Sequence, residues 1–212
     1  MIFAAVAFAM SLLPILISAF YAHPLYDDYW FSSGVYHQVT RGGSIIDILR
    51  AAADMVKDIY VTWQGSFSAV FLFSLQPGVF GQDYYFLTTF IMLGLLIGSH
   101  VFLFDTILVK WLKLRKEYEV LLTLFMLTMI IQFIPDIRQA FYWYNGSCYY
   151  TLFYSLSVIL VGTMIRIELK RSRVSFRNTF PLSLLAFFIG GELLNSTADS
   201  RDLYNLYTHI SV

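Results

Sequence analysis

The stretch IFAAVAFAMSLLPILISAF (residues 2–20), followed at once by YAHPLYDDYW (residues 21–30), decides the fold class. Nineteen uncharged, mostly apolar residues suffice to cross the hydrocarbon core of a bilayer as one helix. Asp27 and Asp28 stand just beyond it, flanked by Tyr26, Tyr29 and Trp30, aromatic types that favour the headgroup zone. No basic segment precedes the apolar run, and Phe20 is too large for a small-residue cleavage site ending at Ala22. The run therefore reads as a retained anchor rather than a signal peptide.

Composition extends this reading to the whole chain. Hydrophobic residues make up 58% of it, charged residues 13%, and mean hydropathy is +0.65. A soluble domain of this size carries about a quarter charged residues, so the expected class is an all-α, polytopic membrane protein. A lone cysteine, Cys148, excludes an internal disulfide framework. Nothing in the sequence points to nucleic acid.

Five segments have spanning length, at about 2–21, 84–108, 118–135, 149–167 and 179–197. They are read as a single transmembrane domain over residues 1–212. The apolar stretch 60–75 is short, broken by Gln64, Gly65, Ser66 and Ser68, and closed by Pro77-Gly78. Charge parity decides its fate. Lys110, Lys113, Arg115 and Lys116 lie in one loop, and Arg166, Lys170, Arg171, Arg173 and Arg177 in another. Both loops face the cytoplasm only if 60–75 does not cross, so this stretch is expected to be re-entrant or interfacial. Residues 22–83 then form one large outer loop. Within it Ile45, Ile46, Ile48, Leu49, Ala52, Met55, Val56 and Ile59 recur at helical spacing opposite Asp47, Arg50, Asp54, Lys57 and Asp58. That pattern predicts an amphipathic helix over 44–59, lying in the interface and capped by Ser44. The topology puts Met1 inside and the C-terminal tail outside.

Several polar residues could carry chemistry on the outer side. Asp27 and Asp28 suit a general base or ligands of a divalent cation; as loop carboxylates they would equally serve only to solvate the surface. Glu192 lies about 20 Å along the last span, in its outer half, and Asn195 shares its helix face. It reads either as lining a cavity or as a protonated hydrogen-bonding group between helices. Gly190-Gly191 allow another helix to approach closely there. Arg138 can pair with Asp136 or hold a phosphate oxygen. Trp63, Trp143, Tyr144 and Asn145 suit a sugar platform or an aromatic belt. His100 is expected to make an interhelical hydrogen bond, and Asp105 to reach water or a lysine near the cytoplasmic end.

Asp27-Asp28-Tyr29, Trp63-x-Gly65, Tyr142-Trp143-Tyr144-x-Gly146-Ser147 with Tyr149, and Glu192 with Asn195 resemble GT-C-type membrane glycosyltransferases. More narrowly, the chain resembles bacterial multi-span proteins related to O-antigen glucosyltransferases and mannosyltransferase-like enzymes. The resemblance implies transfer of a sugar from a polyprenyl-phosphate carrier to a cell-envelope glycan, at the outer face of the bacterial cytoplasmic (inner) membrane. It implies catalytic roles for Asp27, Asp28 and Glu192, and substrate contacts from Trp63, Arg138, Trp143, Tyr144, Asn145 and Asn195. It makes Mg or Mn a candidate cofactor, with Asp27 and Asp28 as ligands. The related sequences carry Trp-x-Gly-Arg where this chain has Ser66, and seven or more spans. The chain therefore reads as the N-terminal part of a longer module. A non-catalytic membrane protein or a transporter-like subunit is the alternative.

Overall fold

The computed structural model describes residues 1–170 and 176–193, and every regular element among them is helical. α1 (Ile2–Ala19) leads through a short extended turn into α2 (Tyr26–Thr40), and Gly42, at φ +72°, turns the chain toward α3 (Ile45–Thr62). α4 (Phe67–Ser74) and two 3-10 turns (Pro77–Phe80, Gln82–Tyr84) follow. α5 (Leu87–Phe104) continues into a π-helical stretch (Asp105–Trp111). α6 (Lys116–Gln132) is joined by a π turn (Arg138–Tyr142) to α7 (Tyr144–Ser147). A second π turn (Cys148–Leu152) carries α7 into α8 (Phe153–Leu169), and α9 (Phe176–Leu193) closes the described chain.

Among the described residues, three helical stretches are long and apolar enough to cross a membrane: Ile2–Ala19, Gln82–Trp111 and Tyr144–Leu169. They correspond to the expected spans 2–21, 84–108 and 149–167. The expected spans 118–135 and 179–197 are helical over Lys116–Gln132 and Phe176–Leu193 but fall short of that standard; the latter is apolar over Thr179–Glu192, and residues 194–197 lie outside the described residues.

The segment 22–83 holds more helix than the hydrophobic pattern implied. α3 confirms the amphipathic element and runs three residues past the expected end. Ser44 caps it, its hydroxyl accepting from the Asp47 amide (3.3 Å) while Asp47 accepts from the Ser44 amide (3.0 Å). The stretch 60–75, expected as one re-entrant or interfacial helix, is divided at the polar notch Gln64-Gly65-Ser66: residues 60–62 complete α3, and α4 is a separate eight-residue helix. The Asp27-Asp28 pair, expected in a loop, instead opens α2. Asp28 is the third residue of that helix, and its Oδ2 accepts the Leu25 amide (3.0 Å), closing the exposed N-terminus.

One apolar core links α2–α4, which form a cap, to the bundle of the remaining helices. It runs from Leu12 and Ile15 in α1 through Phe31, Ile59, Val70 and Phe73 of the cap to Met92, Leu96, Ile131, Phe141 and Phe153. Gly162 lets α8 close on α5, since a Cβ there would come within 2.6 Å of the Phe102 ring. Gly191 does the same for α9 and α4, where a Cβ would collide with Phe67. Of the expected Gly190-Gly191 pair, only Gly191 makes this contact; Gly190 faces open space.

Candidate functional site

Asp28 is the centre of the cap. It is fully buried, at 0% exposure, although a carboxylate is among the groups least often found so. Three donors justify its position: the Leu25 amide, the Tyr85 hydroxyl (2.7 Å, to Oδ2) and the Asn145 amide (3.2 Å, to Oδ1). Tyr85 OH accepts in turn from the Tyr144 amide (3.0 Å). One carboxyl therefore ties the start of α2 to the start of α5 and to α7, across 117 residues of sequence. Burial raises its pKa above the ordinary carboxylate value, and the three hydrogen bonds only partly offset that. On the far side, the Ser32 hydroxyl donates to the Asp28 carbonyl and accepts from Gln76 Nε2 (3.4 Å).

Asp27 is its opposite: exposed at the helix surface. The two neighbours do not form a cation site. The Asp28 oxygens accept from three protein donors inside the fold, whereas Asp27 points to the exposed surface. Among the described residues no group of three or more His, Cys, Asp or Glu side chains could hold a metal ion. The expected metal ligands do not fit the role, and no chemical step is routed through a cation here.

Tyr144 and Asn145, expected at a solvent-facing platform, are buried beneath the cap. The Asn145 carboxamide has both polar atoms buried and unpaired among the described residues, as does the Trp143 indole N–H. Each such group costs about 1–3 kcal/mol if nothing satisfies it. Gly146 makes room for the Trp143 ring, which a Cβ there would approach to 2.6 Å. Trp63 ends α3, is more than half exposed, and stacks on Phe31 (6.4 Å between centroids) beside Trp30 (5.9 Å).

Glu192 reaches the same region from α9. Its carbonyl accepts from the Ser66 hydroxyl (3.3 Å), and its carboxyl is close enough to act electrostatically on Tyr149, whose hydroxyl accepts from Gln64 Nε2 (3.5 Å). Asn195 lies outside the described residues.

Arg138 does not pair with Asp136 through its guanidinium. Asp136 instead accepts the backbone amides of Arg138 (3.0 Å) and Gln139 (3.2 Å), capping the π turn. Among the described residues the guanidinium has no ion pair or hydrogen bond. It borders a recess of about 260 Å³ with Ser18, Tyr21, Ala22, His23, Leu25 and Tyr142. Neither Asp28 nor Glu192 lines that recess.

His100 and Asp105 take the structural roles expected of them. His100 meets Tyr154 OH (3.1 Å) across the α5–α8 contact. Asp105 gathers Arg166 (3.0 Å), Lys110 (3.1 Å) and Lys116 (3.3 Å). The residue that sequence reasoning missed is Tyr85. Its only signal was the second of two adjacent tyrosines, Tyr84-Tyr85, at the head of a span, indistinguishable from an interfacial anchor among fifteen tyrosines.

Comparison of the chain with protein-family profiles, with curated proteins and with solved structures found no match in any of the three.

Proposed function

We propose that this chain is the membrane-embedded part of a GT-C-type glycosyltransferase, a multi-pass protein of the bacterial inner membrane. It would move a sugar from a polyprenyl-phosphate donor to a cell-envelope glycan at the outer face. The observation that carries the reading is the Asp28 tie. The two segments singled out for this chemistry, around Asp27-Asp28 and around Tyr144-Asn145, meet within hydrogen-bond distance although 117 residues separate them. The unpaired polar atoms of Asn145 and Trp143 at that meeting point support it, because buried unsatisfied groups in a native fold mark places where a partner is expected.

A membrane setting is supported by length. Tyr85, in the Asp28 cluster, and Asp105, in the basic cluster, are twenty residues apart on one helical stretch. At 1.5 Å per residue that is about 30 Å, the thickness of a hydrocarbon core.

Within this reading the exposed Asp27 is the general base and Asp28 the positioning group that fixes the start of α2. The acceptor hydroxyl loses its proton to Asp27 and its oxygen bonds to the anomeric carbon. The bond from that carbon to the carrier phosphate breaks, and the phosphate leaves on the lipid. Arg138, whose guanidinium has no partner among the described residues and borders the recess with Leu25, offers two parallel donors for that phosphate. The test is transfer of labelled sugar from a polyprenyl-phosphate donor by membranes carrying the protein in its full-length context. Asp27→Asn abolishes transfer and Arg138→Gln weakens it, with expression unchanged. If both variants transfer normally, the enzyme reading fails.

A second reading has its own observation. All of the Asp28 hydrogen bonding is internal, as in a purely structural tie, and a non-catalytic membrane protein would need nothing more.

A further inference from the structure

At the opposite end of α5 from the Asp28 cluster, a recess of about 420 Å³ is lined by Lys110, Trp111, Lys113, Arg166, Leu169 and Lys170. Four of these six residues are cationic and none is acidic. Asp105, beside the recess, is shared among Lys110, Lys116 and Arg166, and Glu119 pairs with Lys116 (2.9 Å). Five cations face two carboxylates, a surplus of three positive charges. Lys113 and Lys170 have no anionic partner among the described residues.

The cations differ in how firmly they are held. Arg166 is fixed: its guanidinium lies 3.8 Å over the Phe102 ring, and its Nε donates to Thr106 Oγ1 (2.7 Å). Lys113 stands where the π-helical end of α5 turns, at φ +59°, a backbone conformation that favours glycine. The turn is closed by the Leu114 amide donating to the Leu108 carbonyl (2.8 Å). Exposed Trp111 and Leu169 supply the apolar wall.

We propose that this recess binds the headgroup of an anionic phospholipid of the adjacent leaflet. The inference rests on the membrane setting argued above and is independent of glycosyl transfer. Cytoplasmic bias of basic residues explains the sign of the charge in the two loops. It does not explain why cations from both loops close on one recess with a tryptophan and a leucine in its wall. A phosphate diester bearing acyl chains meets both needs. Its oxygens take the Arg166, Lys113 and Lys170 donors, and its chains lie against Trp111 and Leu169. A zwitterionic headgroup would bring its own cation into a site that already has a surplus.

Trp111 makes the site readable. The full chain is reconstituted in phosphatidylcholine vesicles containing either brominated phosphatidylglycerol or brominated phosphatidylcholine at equal mole fraction, and tryptophan quenching is compared. The expected result is stronger quenching by the anionic lipid. That preference disappears in Trp111→Phe, where the other tryptophans remain. It falls at least about fivefold in Lys113→Gln/Lys170→Gln, the factor expected for one cation at an anionic surface. Equal quenching by the two lipids, or an undiminished preference in the double variant, overturns the proposal while leaving the membrane reading intact. Absence of quenching by either lipid overturns both. Loss of the preference on adding inorganic phosphate at low millimolar concentration assigns the site to a free anion and overturns the lipid claim.

Discussion

Replacing Tyr85 by Phe removes a single oxygen, and the structure allows its cost to be worked out. That oxygen donates to Asp28 Oδ2 (2.7 Å) and accepts the Tyr144 amide (3.0 Å), and the side chain is 0% exposed. A hydrogen bond to a charged group contributes about 1.5–3 kcal/mol, and a buried amide left without an acceptor costs about 1–3 kcal/mol. Allowing for the hydroxyl that no longer has to be desolvated, the expected loss is roughly 3 kcal/mol. The loss is local to the junction of α2, α5 and α7, which suits a local reporter. Cys148 is the sole cysteine, is buried, and lies one turn beyond Tyr144. Maleimide labelling of the native protein in mild detergent then measures opening of this junction. Tyr85→Phe speeds labelling about a hundredfold, the factor corresponding to ~3 kcal/mol. Tyr84→Phe, at an exposed neighbour, leaves it unchanged. An acceleration below about tenfold in Tyr85→Phe, or an equal one in Tyr84→Phe, refutes the assignment of Asp28 and Tyr85 as the tie that holds the cap.

Three other outcomes follow from the same geometry. The Asp28 carboxyl is raised above its unfolded value of 3.8, chiefly by burial, so its contribution to stability is full below that pH and lost as pH rises through the folded value; detergent-unfolding titrations upward from the unfolded value show the wild type losing stability with pH relative to Asp28→Asn. Gly162→Ala costs about 1–3 kcal/mol, because the new methyl meets Phe102, itself pinned beneath Arg166, and thermal unfolding in detergent reads it. Asp105→Asn leaves Lys110, Lys116 and Arg166 without their shared carboxylate and costs about 1–2 kcal/mol, less at high salt, since the cluster is partly exposed.

Where the sequence was readable, a simple periodicity or a strong local signal stood behind it. α3 announces itself by apolar residues three and four apart against a charged face, with Ser44 and Asp47 forming its cap. The break after Thr62 is written in Gln64-Gly65-Ser66. His100 and Asp105 could be assigned because a polar group in an apolar helix has few ways to be satisfied. α2 was illegible for the converse reason. Its buried stripe is Asp28, Phe31, Ser32 and Val35, helical in spacing but half polar, so a hydrophobic pattern passes over it. The burial of Asp28 depends on the amide at its own helix's N-terminus and on one backbone amide and one phenol supplied from elsewhere, and backbone amides leave no trace in residue types. The platform reading of Tyr144 and Asn145 gave way for the same reason: these residues sit under α2, and a helix that is not foreseen cannot cover anything.

The claim on which both functional readings rest is that the Asp28 cluster and the basic recess lie on opposite sides of a membrane, about 30 Å apart along α5. Single cysteines placed in a Cys148→Ser background test it directly, at exposed Lys57 on α3 and exposed Glu117 at the start of α6. In intact cells an impermeant maleimide should label Lys57→Cys, whereas Glu117→Cys should react only after the membrane is permeabilised. Labelling of both positions from the same side, or Glu117→Cys alone in intact cells, would contradict the account.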